Sequence, residues 1–137
     1  MKEKNWRLFT DGGARGNPGP AAFGYQLILP DGQEILGKGL LGNQTNNVAE
    51  YQGLIHGLQR ALDMGVESLE VYCDSELAVK QLNGIYKVKE IGLKPLFSKA
   101  KELAAKFSGG VRFFHIRREL NKKADELVNE ALDEAGY

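Results

Sequence analysis

One cysteine, one tryptophan and four prolines stand in 137 residues. The lone cysteine, Cys73, can form neither an internal disulfide nor a cysteine zinc cluster, which suits a reducing compartment and leaves oxygen or imidazole as the donors for any metal. No apolar run approaches the roughly 18 residues that a membrane helix needs, so no membrane partner is expected. The start, "MKEKNWRLFT", is charged and then strand-like, without the apolar stretch and small-residue cleavage site of a secretory leader, and the expected location is cytoplasmic. Repeats, low-complexity tracts and linkers are absent as well, and the length is that of one domain, expected over residues 1–137. Net charge is zero, which neither predicts nor excludes a polyanionic partner.

The distribution of charge says more. Residues 75–106 hold seven lysines (80, 87, 89, 94, 99, 101 and 106) against three glutamates, while residues 125–137 hold five acids and no base. A lysine-rich amphipathic segment is more often a solvated helix face than a nucleic-acid surface, and both readings stand at this point.

Apolar periodicity divides the chain into alternating elements. Residues 5–10 and 21–29 are rich in aromatic and aliphatic side chains, and "PDGQ" at 30–33 is a turn before a third strand over 34–41, which makes an antiparallel unit. From Asn46 the period changes to three and four, through Val48, Tyr51, Ile55, Leu58 and Leu62, and Gly65 ends the helix. A buried strand over 68–74, a helix over 75–84, a helix over 93–107, a strand over 111–117 and a helix over 121–132 follow. Strands joined through helices imply parallel neighbours. The expected class is α/β, a mixed five-stranded sheet of three antiparallel strands plus two parallel ones, flanked by helices.

Four carboxylates fall in unusual places. Asp11 ends the first strand where "DGGARGNPGPAAFGY" begins, and Asp74 ends the strand "VYCD", at the carboxyl edge where open α/β sheets bind ligands. Asp74 reads equally well as a helix N-cap. Glu50 shares a helix stripe with Gly53, Gly57 and Ala61, and a stripe so poor in side chains lets the helix approach the sheet, although each interior glycine costs up to about 1 kcal/mol. Asp125 lies between Asn121 and Val128 on the inward side of the last helix, and a lone inward aspartate is unusual. Four acids converging on one sheet edge would repel one another and lose hydration without a counter-charge. Divalent metal is the economical counter-charge: magnesium takes a few carboxylates with water and substrate phosphate, and two ions about 4 Å apart can hold an in-line phosphoryl displacement.

The stretches "FTDGGARGNPGPAAFGY", "TNNVAEYQGLIHGL", "VYCDSELAVKQLNG" and "NKKADELVNEAL" together resemble the four acidic motifs of type 1 ribonuclease H, the ribonuclease HI family, over residues 6 to about 132. The resemblance implies the ribonuclease H-like fold and an endonuclease that cuts the RNA strand of RNA/DNA hybrids by a two-metal-ion mechanism, leaving 5′-phosphate and 3′-hydroxyl ends. It implies Asp11, Glu50, Asp74 and Asp125 as catalytic and metal-binding acids, Mg2+ as the cofactor with Mn2+ able to substitute, and a monomer acting on the hybrid. It implies further that Gly12, Asn17, Asn46 and Asn47 meet the RNA strand's minor-groove edge and 2′-hydroxyls, that Glu50 also accepts a hydrogen bond from a 2′-hydroxyl, and that Thr45 meets a DNA phosphate. "TNN" is also a natural helix cap, and the two roles are compatible.

The chain departs from the family pattern in two places. Where many members carry a basic protrusion with tryptophans, this chain has "NGIYKVKEIGLKP", with Lys87, Lys89 and Lys94 and no tryptophan, so the protrusion is expected to be reduced. Many members also have a mobile histidine after the last strand. Counting back ten residues from Asp125 gives His115, yet "VRFFHIRREL" alternates as a strand with His115 in it. Arg117, Arg118 and Glu119 then stand nearest that histidine's place, with Arg118 able to hold a phosphate by charge-assisted hydrogen bonds, and Arg118 and His115 are kept as auxiliary candidates. Trp6, Phe113 and Phe114 read as core, His56 as a surface or packing residue and Cys73 as buried strand. Rival functions are a catalytically dead binding module, a DNA nuclease, or a domain cut from a reverse transcriptase. The intact acids oppose the first, and "TNN" with "RGNPG" favours hybrid over DNA.

Overall fold

The computed structural model describes residues 5–137. The charged start at 1–4, on which the leader reading partly rests, lies outside them. Strands β1 (Trp6–Ala14), β2 (Gly19–Ile28) and β3 (Glu34–Gln44) come first, followed by helix α1 (Asn46–Asp63) and strand β4 (Leu69–Cys73). Helices α2 (Glu76–Leu82) and α3 (Lys94–Ala105), strand β5 (Val111–His115) and helix α4 (Lys122–Glu134) complete the order. The sheet runs β3-β2-β1-β4-β5, antiparallel across the first three strands and parallel for β1-β4-β5, as expected from hairpin turns followed by helical crossovers. Among the described residues no helix is long and apolar enough to cross a membrane.

Helices α1 to α3 cover one face of the sheet. There Leu8, Leu54, Leu58, Val71, Leu103 and Phe113 form the main core, with Cys73 buried among them. Trp6 packs half-buried against this core, whereas Phe114 points to the opposite face, is 37% exposed and stacks on Tyr72 with 5.3 Å between ring centroids, Tyr72 in turn stacking on Phe9 at 4.9 Å. The core reading of Phe114 is therefore corrected: β5 is an edge strand whose outer face no helix of the described residues covers. Helix α4 covers the other end of that face, burying Val128, Ala131 and Leu132 against Ala22 of β2. His56 is exposed and stacks on Phe23 with 4.1 Å between ring centroids.

Several boundaries move. β1 does not end at Asp11: Gly12, Gly13 and Ala14 stay in register with Phe23, Ala22 and Ala21, so the pliant stretch is still strand and only residues 15–18 turn. The ladder with β2 supplies hydrogen bonds that outweigh the glycines' weak strand preference. β5 ends at His115 instead of 117, because Arg118–Leu120 tighten into a 3-10 turn. Between α2 and α3 the described chain carries one 3-10 turn, Ile91–Leu93, which fits a reduced protrusion.

Candidate active site

Two close helix contacts converge on the β1–β2 pair at Asp11. A Cβ added to Gly12 would lie 2.0 Å from the carbonyl oxygen of Ala49, and one added to Gly53 would lie 2.5 Å from that of Asp11, so α1 touches the backbone of β1. The glycine stripe does what its spacing predicted, and it delivers Glu50: the Gly12 N–H donates to Glu50 Oε1 across 3.0 Å. On the opposite face Gly24, paired with Asp11, would put a Cβ 2.7 Å from the carbonyl oxygen of Ala124, so α4 touches β2 beside Asp11 and presents the next residue, Asp125. Asp74 follows the last β1–β4 pair, Thr10 with Cys73, at the carboxyl ends of parallel strands. It is not the cap of α2, since Ser75 accepts from the Ala78 N–H across 3.2 Å.

One carboxylate oxygen from each of Asp11, Glu50 and Asp74 lies within 4.8 Å of the others. Asp125 stands outside this triad but lines a cleft of about 350 Å³ with two of its members, Asp11 and Glu50, and with Gly12, Asn46 and Arg118. Burial, and then the charge of Asp74, push the Asp11 carboxyl up to about 8, against a downward pull from the Gly12 N–H, with Asp125 adding to the rise. Burial followed by Asp11 and Asp74 likewise hold Glu50 well above the usual carboxylate range. Asp74 Oδ2 is buried with no hydrogen-bond partner among the described residues. A buried, unpaired carboxylate oxygen facing two other acids is suited to a divalent cation, which would satisfy the orphan oxygen and offset the charge. The residues present therefore fit a metal.

The polar rim is built by hydrogen bonds along the chain's turns. Thr45 caps α1, its Oγ1 accepting from the Val48 N–H across 3.2 Å. Asn46 Oδ1 accepts from the Ala14 N–H across 2.9 Å, and Asn17 Oδ1 accepts from the Asn46 N–H across 3.0 Å. With both amide oxygens held by backbone donors, the two NH2 groups remain as donors. Asn47 Nδ2 donates to Glu90 Oε1 across 3.3 Å. His115 is exposed at the end of β5 and is not among the residues lining the cleft; Arg118, also exposed, is. Sequence reasoning passed over Arg15, which lines the cleft, pairs with Asp133 at 2.8 Å and donates to Asn129 Oδ1 and the Tyr137 carbonyl. These partners lie more than a hundred residues away, and no local pattern announces them.

Residues 9–131 match the family described as "Reverse transcriptase-like". A solved RNase H1 from Halobacterium salinarum superposes with a TM-score of 0.91 at 39% identity, covering 96% of this chain and 99% of that one. The chain belongs to the type 1 ribonuclease H family. LC11-RNase H1, solved in complex with RNA/DNA hybrid, is another ribonuclease H similar to it, with a TM-score of 0.89 at 44% identity over 96% of this chain and 99% of that one. "Bifunctional protein Rv2228c" of Mycobacterium tuberculosis is 42% identical over 128 residues, covering 92% of this chain. The chain spans 35% of the length of that relative and 64% of the length of "Ribonuclease HI" of Halobacterium salinarum.

Proposed function

We propose that this chain is an endonuclease that hydrolyses the RNA strand of RNA/DNA hybrids by a two-metal-ion mechanism and leaves 5′-phosphate and 3′-hydroxyl ends. The observation that carries the reading is the triad of carboxylates within 4.8 Å, two of them, Asp11 and Glu50, held above their usual range and sharing a cleft with Asp125. Likeness to a ribonuclease H solved with RNA/DNA hybrid supports the choice of substrate. Residues 1–137 act in this reading as one domain, and a monomeric state and cytoplasmic location belong to the same proposal.

Asp11, Glu50, Asp74 and Asp125 would hold the cations, magnesium in this reading with manganese able to replace it. Bound there, the ions supply activation of the attacking water and charge to offset that developing on the departing 3′ oxygen. The chain's own residues do the rest. Glu50 is fixed by its bond from Gly12, so its remaining lone pairs are aimed with little loss of entropy, and one can accept from a 2′-hydroxyl. Asn17 and Asn46 present NH2 donors, which match the acceptor atoms of the minor groove and the oxygen of a 2′-hydroxyl. Thr45 keeps its hydroxyl proton for a DNA phosphate while its oxygen caps α1. Gly12 admits no side chain, so its contact with RNA would be a backbone one. Asn47 would exchange its exposed bond to Glu90 for the RNA edge. Arg118, at the cleft, can hold the scissile phosphate or the product by charge-assisted hydrogen bonds.

The test replaces each acid singly by its amide and follows cleavage of a strand-labelled hybrid in magnesium. Loss of turnover for Asp11→Asn, Glu50→Gln and Asp74→Asn is expected, with a smaller loss for Asp125→Asn, whose carbonyl oxygen can still ligate. Near wild-type turnover in any of the first three would overturn the assignment.

A further inference from the structure

Asn121 is 1% exposed and immediately precedes α4, yet its side chain makes no capping bond to that helix. Its Nδ2 instead donates to the carbonyl of Thr10 across 2.8 Å. Thr10 directly precedes Asp11 and is the last residue of β1 paired with β4. The main-chain carbonyl of the same asparagine accepts the N–H of Asp125 across 3.1 Å. One buried residue is thus bonded to the neighbour of one acid through its side chain and to the other acid's backbone through its main chain.

Asn121 is an expensive residue in that position. Its Oδ1 is buried without a partner among the described residues, a penalty that leucine, of similar size, would not carry. What leucine could not make is the bond to Thr10. The contact at Gly24 sets how close α4 lies to the sheet, but a helix resting on a glycine can still slide along the strand. The Asn121 to Thr10 bond removes that freedom at the end nearer Asp125.

We propose that Asn121 is a positioning residue for the metal-binding acids, holding Asp125 in register with Asp11 by pinning the start of α4 to the end of the β1–β4 ladder. The proposal rests on the reading of Asp11 and Asp125 as partners at one metal site. It concerns a residue that would touch neither metal nor substrate and would act through Asp125.

Four variants test it: Asn121→Ala, Asn121→Leu, Asp125→Asn and the double Asn121→Ala/Asp125→Asn, with Leu103→Ala in the main core as a control for lost stability. Two readouts are taken on each: the magnesium or manganese concentration at the midpoint of the metal-induced rise in melting temperature, and kcat and KM on a strand-labelled hybrid. Both Asn121 variants should weaken the metal midpoint or kcat by about 10- to 100-fold, the usual effect of removing an outer partner of a metal ligand, with KM for the hybrid unchanged. Asn121→Leu should do so while remaining more stable than Asn121→Ala. The double variant should lose little beyond Asp125→Asn alone, because the two act as one unit. Leu103→Ala should lower the melting temperature and leave the metal midpoint in place. If the Asn121 variants behave as Leu103→Ala does, or if their losses add in full to that of Asp125→Asn, Asn121 is a structural pin and the proposal is wrong. A wild-type protein that neither responds to metal nor cuts the hybrid would overturn the metal-site reading, and this one with it.

Discussion

Asp11→Asn should make the metal-free protein more stable to heat. The Asp11 carboxyl, 7% exposed, is pushed up to about 8, so the folded state keeps its proton over a range in which the unfolded chain, with an ordinary aspartate near 4, has lost it. Folding is therefore favoured below about pH 4, loses stability as pH rises toward 8, and loses no more once the folded group has ionised. At about 1.4 kcal/mol for each tenfold change, the difference at pH 8 is about 5 kcal/mol. Asparagine keeps the shape and removes the charge, so the variant should lose less stability across that window, with buried Glu50, also held above the usual range, leaving a residual slope. Part of the repulsion stays between Glu50 and Asp74, and a gain of about 3 kcal/mol at pH 8, or about 10 °C in melting temperature, is the working figure. The assay is thermal unfolding in EDTA between pH 4 and 9, followed by circular dichroism. Wild type and variant should converge at pH 4 and separate steadily to pH 8, and magnesium added at pH 8 should raise the wild type more than the variant. Parallel curves for the two proteins, or a variant less stable at pH 8, would refute the reasoning.

Gly12→Ala should cost about 3 kcal/mol or more in urea unfolding, because its methyl would lie 2.0 Å from a backbone oxygen that α1 cannot withdraw; a loss under about 1 kcal/mol would show the helix to be loosely seated. Hybrid cleavage at subsaturating substrate should fall steeply with added salt, and Lys87→Ala/Lys89→Ala should flatten that slope in a plot against log salt if these lysines meet phosphates in place of a larger protrusion. Arg118→Ala should slow turnover about tenfold, the value of one charge-assisted bond, while His115→Ala leaves it unchanged; the reverse pattern in single-turnover assays would move the auxiliary role to the histidine.

The elements legible in the sequence were those whose cause is local. The period from Val48 to Leu62, the turn at 30–33 and the glycine stripe on α1 all report spacing within one segment, and each stands where expected. The acids were legible because a carboxylate at a strand end or on an inward helix face violates the usual burial rule. What stayed hidden depends on a partner distant in the chain. Residues 12–14 look like a loop until β2 is laid beside them. Gly24 is one more small residue in a strand until α4 is found against it. The alternation of β5 marks both Phe113 and Phe114 as apolar, but only the packing of helices decides which of the two is covered. Arg15 and Asn121 make their bonds to residues 114 to 122 and 111 positions away, respectively, beyond any local pattern.

The most direct measurement is cleavage of end-labelled RNA/DNA, RNA/RNA and DNA/DNA duplexes of one sequence, with magnesium and with EDTA. Metal-dependent cutting confined to the RNA strand of the hybrid, with products bearing 5′-phosphates, is the result expected of the acid cluster and the donor-lined rim. Cutting in EDTA, cutting of the DNA strand, or an intact hybrid in magnesium would contradict it.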